Sequence, residues 1–261
     1  MTDVAVVTGA GRGIGAGLAR ALSERGLHVV VTDVDAAAAT RTADALPGPS
    51  TALPLDVRDA GAQRSVAAAA ADLGEVTVWV NNAGVLSTAP VWDATDAEVT
   101  ATIEINTLGV VHGCRAAVDV MRRGDILNVV SLSGLGPTPG LAIYGASKAA
   151  ALSYVQALHT ELGGARRPIR CLALCPDAVS TDLLRAVSDR PSSALLFTGP
   201  RVLDVDEVVA AGIAMLDGKR ELRVLPGWRG WLTRTQSILP VAARTLTPMV
   251  ARIGERRRPT G

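Results

Sequence analysis

The sequence predicts an α/β fold, a doubly wound parallel sheet with helices on both faces. Three observations carry this expectation. Short β-rich runs alternate with longer helical stretches along most of the chain. Several runs, such as VAVVTG at 4–9 and VTVWVNN at 76–82, are apolar at nearly every position, as strands covered on both faces are. A glycine-dense turn, GAGRGIG at 9–15, joins the first of these runs to the first helical stretch.

The strands are expected at 4–9, 27–33, 51–56, 76–82, 125–133, 168–176 and 221–226. Each is rich in Val, Ile or Leu and bounded by Gly, Pro, Asn or Asp. The helices are expected between them, at 13–25, 35–46, 60–73, 96–122, 144–163 and 204–217. Alanine runs at 36–39 and 67–71 suit helices packed close to a sheet. Asp35 and Asp96 stand where N-caps are wanted. No Pro/Gly/Ser-rich linker and no internal repeat divides the chain. One domain over 1–227 is expected, followed by a basic extension over 228–261.

Composition narrows the function classes. The chain of 261 residues is 48% hydrophobic and 20% charged, ordinary for a soluble globular protein. Its 26 Lys and Arg against 25 Asp and Glu give a net charge of +1, which carries no general polyanion-binding signal. The balance is uneven, since residues 219–261 hold ten Lys/Arg against two Glu, a local +8. Cys114, Cys171 and Cys175 form no C-x-x-C pair and read as free thiols of a reducing compartment. No basic leader opens the chain, and no apolar run reaches the 18 or so residues a membrane span needs. A cytoplasmic protein without a transmembrane segment is expected. His28, His112 and His159 lack paired spacing for metal ligation, so no metal site is expected.

Two local patterns carry chemistry. Gly9, Gly11, Gly13 and Gly15, with Arg12 and Ile14 among them, lie between a strand and a helix. Glycines there permit a tight turn and let backbone N–H groups approach a pyrophosphate at the helix N-terminus. Asp33 ends the second strand, where a carboxylate can accept both ribose hydroxyls of adenosine and repel a 2′-phosphate. NAD is therefore expected over NADP, although Arg12 offers a guanidinium to a phosphate. The second pattern is AIYGASKAA at 142–150, which places Tyr144 and Lys148 one helical turn apart in a chain with two tyrosines and two lysines. A nearby ammonium favours the phenolate and brings the phenol toward the range of general acid–base catalysis.

TGAGRGIG at 8–15, NNAG at 81–84, Asn106 in EINTLG, Ser131 in NVVSLSG and YGASK at 144–148 follow in an order that closely resembles the short-chain dehydrogenase/reductase family. The resemblance covers about residues 3–225 and implies a Rossmann fold. It implies a catalytic tetrad of Asn106, Ser131, Tyr144 and Lys148. Ser131 and Tyr144 would hold the substrate oxygen, Lys148 would bind the nicotinamide ribose, and Asn106 would hold a relay water. It also implies cofactor contacts from Asp56 and Val57, from Asn82, Ala83 and Gly84, and from Pro176, Val179 and Thr181. A homodimer or homotetramer is the expected assembly.

The chain departs from the family pattern twice. Asp177 follows Pro176 where the family usually has glycine, and either a structural role or a substrate contact is open to it. The extension, with Trp228, Arg229, Trp231 and Arg234 ahead of Pro240, replaces the glycine-rich terminus of many compact members. It reads as a substrate flap, a dimer arm, a membrane-surface helix pair or an appendage packed on its own subunit; its interleaved apolar residues argue against a nucleic-acid arm. Apolar residues crowd the expected substrate loops: Leu86, Val91, Trp92, Leu135, Leu141, Leu183, Leu184, Leu195, Leu196 and Phe197. The function expected is NAD-dependent interconversion of a hydrophobic secondary alcohol and its ketone. A nucleotide-sensing protein without turnover and an NAD-assisted epimerase or dehydratase are the alternatives.

Overall fold

The computed structural model describes residues 2–238 and 251–258. Seven strands build one parallel sheet: β1 (Asp3–Thr8), β2 (His28–Asp33), β3 (Ser50–Pro54), β4 (Glu75–Asn81), β5 (Gly124–Val129), β6 (Ile169–Pro176) and β7 (Leu222–Leu225). Their order is β3-β2-β1-β4-β5-β6-β7. The helices are α1 (Gly13–Glu24), α2 (Ala36–Asp44), α3 (Ala60–Leu73), α4 (Asp96–Ile103), α5 (Gly109–Val120), α6 (Ala142–Gly164), α7 (Asp182–Arg185), α8 (Val205–Asp217) and α9 (Gly227–Ile238). Residues 251–257 are helical as well.

Alternation along β1 sorts the core into two layers. Val4 and Val6 face one way, against Val66 and Ala70 of α3, Cys114 of α5 and Val155 of α6. Ala5 and Val7 face the other way, against Leu18 and Leu22 of α1 and Val208 and Met215 of α8. Both faces are therefore covered, which is why these strands read as continuous apolar runs. The three cysteines are free and buried.

The strand order reverses between β1 and β4, so the chain leaves the sheet in opposite directions there and opens a crevice at the strand carboxyl ends. The turn after β1 and the NNAG segment after β4 meet in that crevice. Asn82 knits them: its Nδ2 donates to the carbonyls of Thr8 (3.0 Å) and Gly9 (2.9 Å), and its N–H donates to Thr8 Oγ1 at 3.0 Å. Beneath it, Asn81 Nδ2 donates to Asn128 Oδ1 at 2.9 Å and Asn81 Oδ1 accepts from Trp79 Nε1 at 2.9 Å, a buried network tying β4 to β5.

Three local expectations are corrected. The helix expected over 96–122 is broken by a π turn at Glu104–Leu108, which shifts the register at Asn106. Thr95, rather than Asp96, caps α4, in a reciprocal pair with Glu98. The strand expected to reach Ser133 ends at Val129, leaving Ser131 at the head of a 3₁₀ turn (Leu132–Gly134). Asp35 caps α2 as expected, accepting from the Ala38 N–H at 3.0 Å. Pro240 lies outside the described residues.

Candidate active site

At the crevice lies a cavity of about 670 Å³. Its wall includes every catalytic and cofactor-contact residue expected from the sequence except Gly11, Gly15 and Asn106.

Gly9 and Gly13 adopt φ of +60° and +57°, a conformation that side chains disfavour. A Cβ on Gly9 would come within 2.7 Å of the Ala83 Cα, so the turn and the NNAG segment touch backbone to backbone. Gly15 lies behind the turn, where a Cβ would strike the Gly9 carbonyl. Unlike α2, α3 and α4, α1 begins without a side-chain cap, on Arg12; its first turn also holds no acidic residue. Its leading N–H groups face the cavity uncapped by the chain, a cradle suited to phosphate.

Asp33 stands beside this turn. One carboxylate oxygen accepts the Gly11 N–H at 2.9 Å, and the other accepts the Asp35 N–H at 3.0 Å. The carboxylate is thus oriented from both sides, and Gly11 serves the wall through Asp33. Arg58, which the sequence did not single out, also lines the cavity and grips Asp56 with Nε (3.0 Å) and Nη2 (2.6 Å). The guanidinium holds the Asp56 carboxyl below its ordinary range. The signal available was an arginine two places after the aspartate in LDVRD.

Tyr144 and Lys148 share one face of α6, with Lys148 Nζ 5.9 Å from the centroid of the Tyr144 ring. Nζ donates to the Val129 carbonyl at 3.2 Å. Lys148 is only 4% exposed, and burial brings its pKa down to about 8. Burial also raises the Tyr144 phenol above its ordinary value, with the Ser131 hydroxyl partly offsetting it. The expectation that a neighbouring ammonium would lower Tyr144 is corrected here: desolvation dominates. Ser131 Oγ accepts from the Ser133 N–H at 3.1 Å, which fixes the turn that carries it. Cys175, given no role from the sequence, lies buried beside Lys148, and burial pushes its thiol up to about 12.

Asn106 is one layer behind the cavity wall and fully buried. Its Oδ1 accepts the Val85 N–H at 2.9 Å, and its Nδ2 donates to the Val85 carbonyl (2.9 Å) and Ser147 Oγ (3.1 Å). The side-chain amide is thus engaged in holding the segment after Gly84 to α6. A Cβ on Gly84 would come 3.1 Å from Asn106 Oδ1 and 3.4 Å from Lys148 Nζ, so glycine keeps these groups close.

The far end of the cavity is apolar. Leu86, Leu183, Leu184 and Leu196 line it, while Leu141 and Phe197 pack beneath with Tyr144. Of the other residues expected in the substrate loops, Val91, Trp92, Leu135 and Leu195 do not line the cavity, and Trp92 is 82% exposed. Asp177 lines the wall and pairs with Arg229 of α9, Nε to Oδ2 at 3.0 Å.

Comparison with known proteins agrees with this architecture. Residues 3–192 match the family model described as short chain dehydrogenase. A 2,3-dihydro-2,3-dihydroxybenzoate dehydrogenase of Bacillus subtilis is 33% identical over 187 residues, 69% of this chain and 71% of that protein. A 1-deoxy-11-beta-hydroxypentalenate dehydrogenase of Streptomyces avermitilis is 34% identical over 219 residues, 80% of this chain and 79% of that protein. Among solved structures, a short chain dehydrogenase/reductase from Burkholderia phymatum in complex with NAD superposes with a TM-score of 0.78 at 27% identity, over 100% of this chain and 97% of that one. A glycine turn at the sheet's switch point, a buried tyrosine–lysine pair on α6 and a family match across most of the sheet converge on one assignment: the chain is an oxidoreductase of the short-chain dehydrogenase family.

Proposed function

We propose that this chain is an NAD-dependent oxidoreductase that interconverts a hydrophobic, uncharged secondary alcohol and its ketone. The observation that carries the reading is the buried Ser131–Tyr144–Lys148 group, set on a cavity with an oriented carboxylate, Asp33, on its cofactor side and leucines on its substrate side. Gly9, Gly13, Ile14 and the first turn of α1 hold the pyrophosphate; Asp33 takes the adenosine ribose; Val57 and Asp56 border the adenine. Ala83, Gly84, Pro176, Val179 and Thr181 border the nicotinamide. When bound, the nicotinamide supplies the hydride acceptor or donor.

The protein's own residues manage the proton. Ser131 Oγ and Tyr144 Oη hold the substrate oxygen, and Tyr144 Oη takes or returns its proton. Lys148 sits under the ring, where its ammonium stabilises the phenolate once the proton has moved. Asn106 acts from behind the wall: its side-chain amide pins Val85, and its backbone, in the π turn at 104–108, would hold the relay water that serves Lys148.

Among the described residues, the basic side chains on the cavity are Arg12, Arg58 and Lys148, the two arginines flanking the proposed adenosine site. None stands among Leu86, Leu183, Leu184 and Leu196. That distribution favours an uncharged substrate over a carboxylate or an acyl-carrier thioester. We place the protein in the cytoplasm as a homodimer or homotetramer, with 228–261 as an extension to the catalytic domain of 1–227. No helix among the described residues is long and apolar enough to cross a membrane.

The test is a panel of hydrophobic secondary alcohols with NAD, followed by absorbance of the reduced nicotinamide. Turnover of none of them, alongside tight NADH binding, would favour a nucleotide sensor. Cofactor choice has its own prediction. The wild-type enzyme is expected to prefer NAD over NADP in kcat/KM by more than about tenfold, or about 1.4 kcal/mol. Asp33→Ser should narrow that gap by removing the repulsion of a 2′-phosphate and by loosening the Gly11 turn. A wild-type preference for NADP would mean that Arg12 and Arg58 outweigh Asp33.

A further inference from the structure

We propose that Asp177 and Arg229 form a clasp that fixes the C-terminal extension against the substrate loop and so sets which substrates the apolar end of the cavity accepts; the substrate half of this inference rests on the alcohol dehydrogenase reading above. The clasp begins with the departure at Asp177, where a carboxylate replaces the glycine of the family pattern. Its N–H donates to the Leu225 carbonyl at 2.8 Å, so its backbone is held by the end of β7. Its side chain is 8% exposed and meets Arg229, 13% exposed, at 3.0 Å. Among the described ion pairs this is the most buried.

Burial alone pushes the Asp177 carboxyl upward, and Arg229 opposes that rise. A carboxylate so placed is costly without its partner, whereas exposed pairs such as Arg20–Glu24 contribute little. Arg229 therefore has a reason to stay. Its second arm, Nη2, donates to Thr198 Oγ1 at 2.8 Å, just past the 3₁₀ segment Pro191–Phe197. One guanidinium thus joins the end of β6, the substrate loop and α9.

Three further contacts lie along the same seam. Arg257 Nη1 donates to the Gly199 carbonyl at 2.7 Å. Gly254 lies so close to the Ala194 carbonyl that a Cβ there would overlap it. Gly136 lies against the Thr233 carbonyl, which a Cβ on Gly136 would approach to 2.6 Å. The extension thus braces both the loop carrying Leu196 and the turn after Ser131. None of its described residues lines the cavity itself, so Arg229 is a positioning residue that acts through Asp177 and the 182–198 segment.

The experiment combines hydrogen exchange with kinetics on the full-length protein. In Arg229→Gln, amides of 182–198 are expected to exchange at least about tenfold faster, while amides of β1, β4 and β5 keep their protection. Arg229→Lys retains charge but loses the fork and should fall between. The neutral pair Asp177→Asn/Arg229→Gln removes the stranded charge and should restore exchange to within about threefold of wild type. With NAD and 1-phenylethanol as probe, Arg229→Gln should raise KM at least about fivefold with kcat within about twofold, since positioning of the substrate end, not proton transfer, is disturbed. Unchanged exchange at 182–198 in the single variants, or additive effects in the double, would overturn the clasp. Should Arg229→Gln fail to fold, Arg229→Lys and the double variant decide the matter by the same readouts. If the wild type turns over no alcohol, the catalytic reading falls, and the exchange data alone judge the clasp.

Discussion

Tyr144→Phe is expected to lower kcat by about a thousandfold, within the range general acid–base catalysis supplies, while NADH affinity stays within about threefold. The phenyl ring keeps its packing with Leu141, Ala178, Leu184 and Leu196, so the fold should barely notice the change. What is lost is the phenolic hydroxyl that lies beside Ser131 at the cavity wall. The pH dependence follows from burial. Desolvation raises the Tyr144 phenol, so the protonated form dominates at neutral pH. A protonated phenol is the competent form for ketone reduction, which should hold at neutral pH and fall as the group titrates in alkali. Alcohol oxidation needs the phenolate, and its kcat/KM should rise with pH over the same interval. Steady-state profiles in both directions on wild type and Tyr144→Phe check this. Activity of the variant within a few-fold of wild type, or parallel profiles in the two directions, would remove Tyr144 from proton transfer.

The features that were legible in the sequence are those set by local chemistry. Gly9 and Gly13 need positive φ, and glycine in a strand–turn–helix context announces that need. Tyr144 and Lys148 are four apart on one helix, so their common face follows from helical geometry alone. Apolar runs marked the sheet because both of its faces are covered. The features that were not legible depend on longer-range packing or on a single shifted hydrogen bond. A π turn at Asn106 leaves no mark in composition, since it differs from the α-helix only in its ladder. Asp177 and Arg229 lie 52 residues apart, and the tertiary packing of α9, on β7 above all, brings them together. The direction of the Tyr144 shift was read from a neighbour in sequence, whereas burial, a property of the whole loop cluster, decides it. Arg58 escaped notice because a charged residue after a turn is ordinarily solvated, yet here it borders the cavity.

Lys148→Met is expected to abolish most turnover and yet stabilise the protein at pH 7. Lys148 is buried, and its pKa in the folded state is lowered to about 8 against the ordinary lysine value of about 10.4. At pH 7 it is mostly protonated, so the fold bears the cost of a nearly dry ammonium that, among the described residues, donates to the Val129 carbonyl alone. Methionine removes that cost and gives up one hydrogen bond, which leaves a gain of about 2 kcal/mol. The gain shrinks as pH rises. Between pH 8 and about 10.4 the unfolded wild type binds more protons than the folded one, so wild-type stability climbs through that window. Methionine does not titrate, and the difference between the two proteins should narrow accordingly. Urea midpoints at pH 7 and at about pH 9.5, inside that window, measure it directly. Turnover should drop by about two to three orders of magnitude, because the phenolate loses the charge beneath its ring. A variant less stable than wild type at pH 7, or a gap that does not move with pH, would show that Lys148 is not held in the fold at an energetic cost. The expected pairing of a gain in stability with a loss of activity is the signature of a charge kept buried for chemistry.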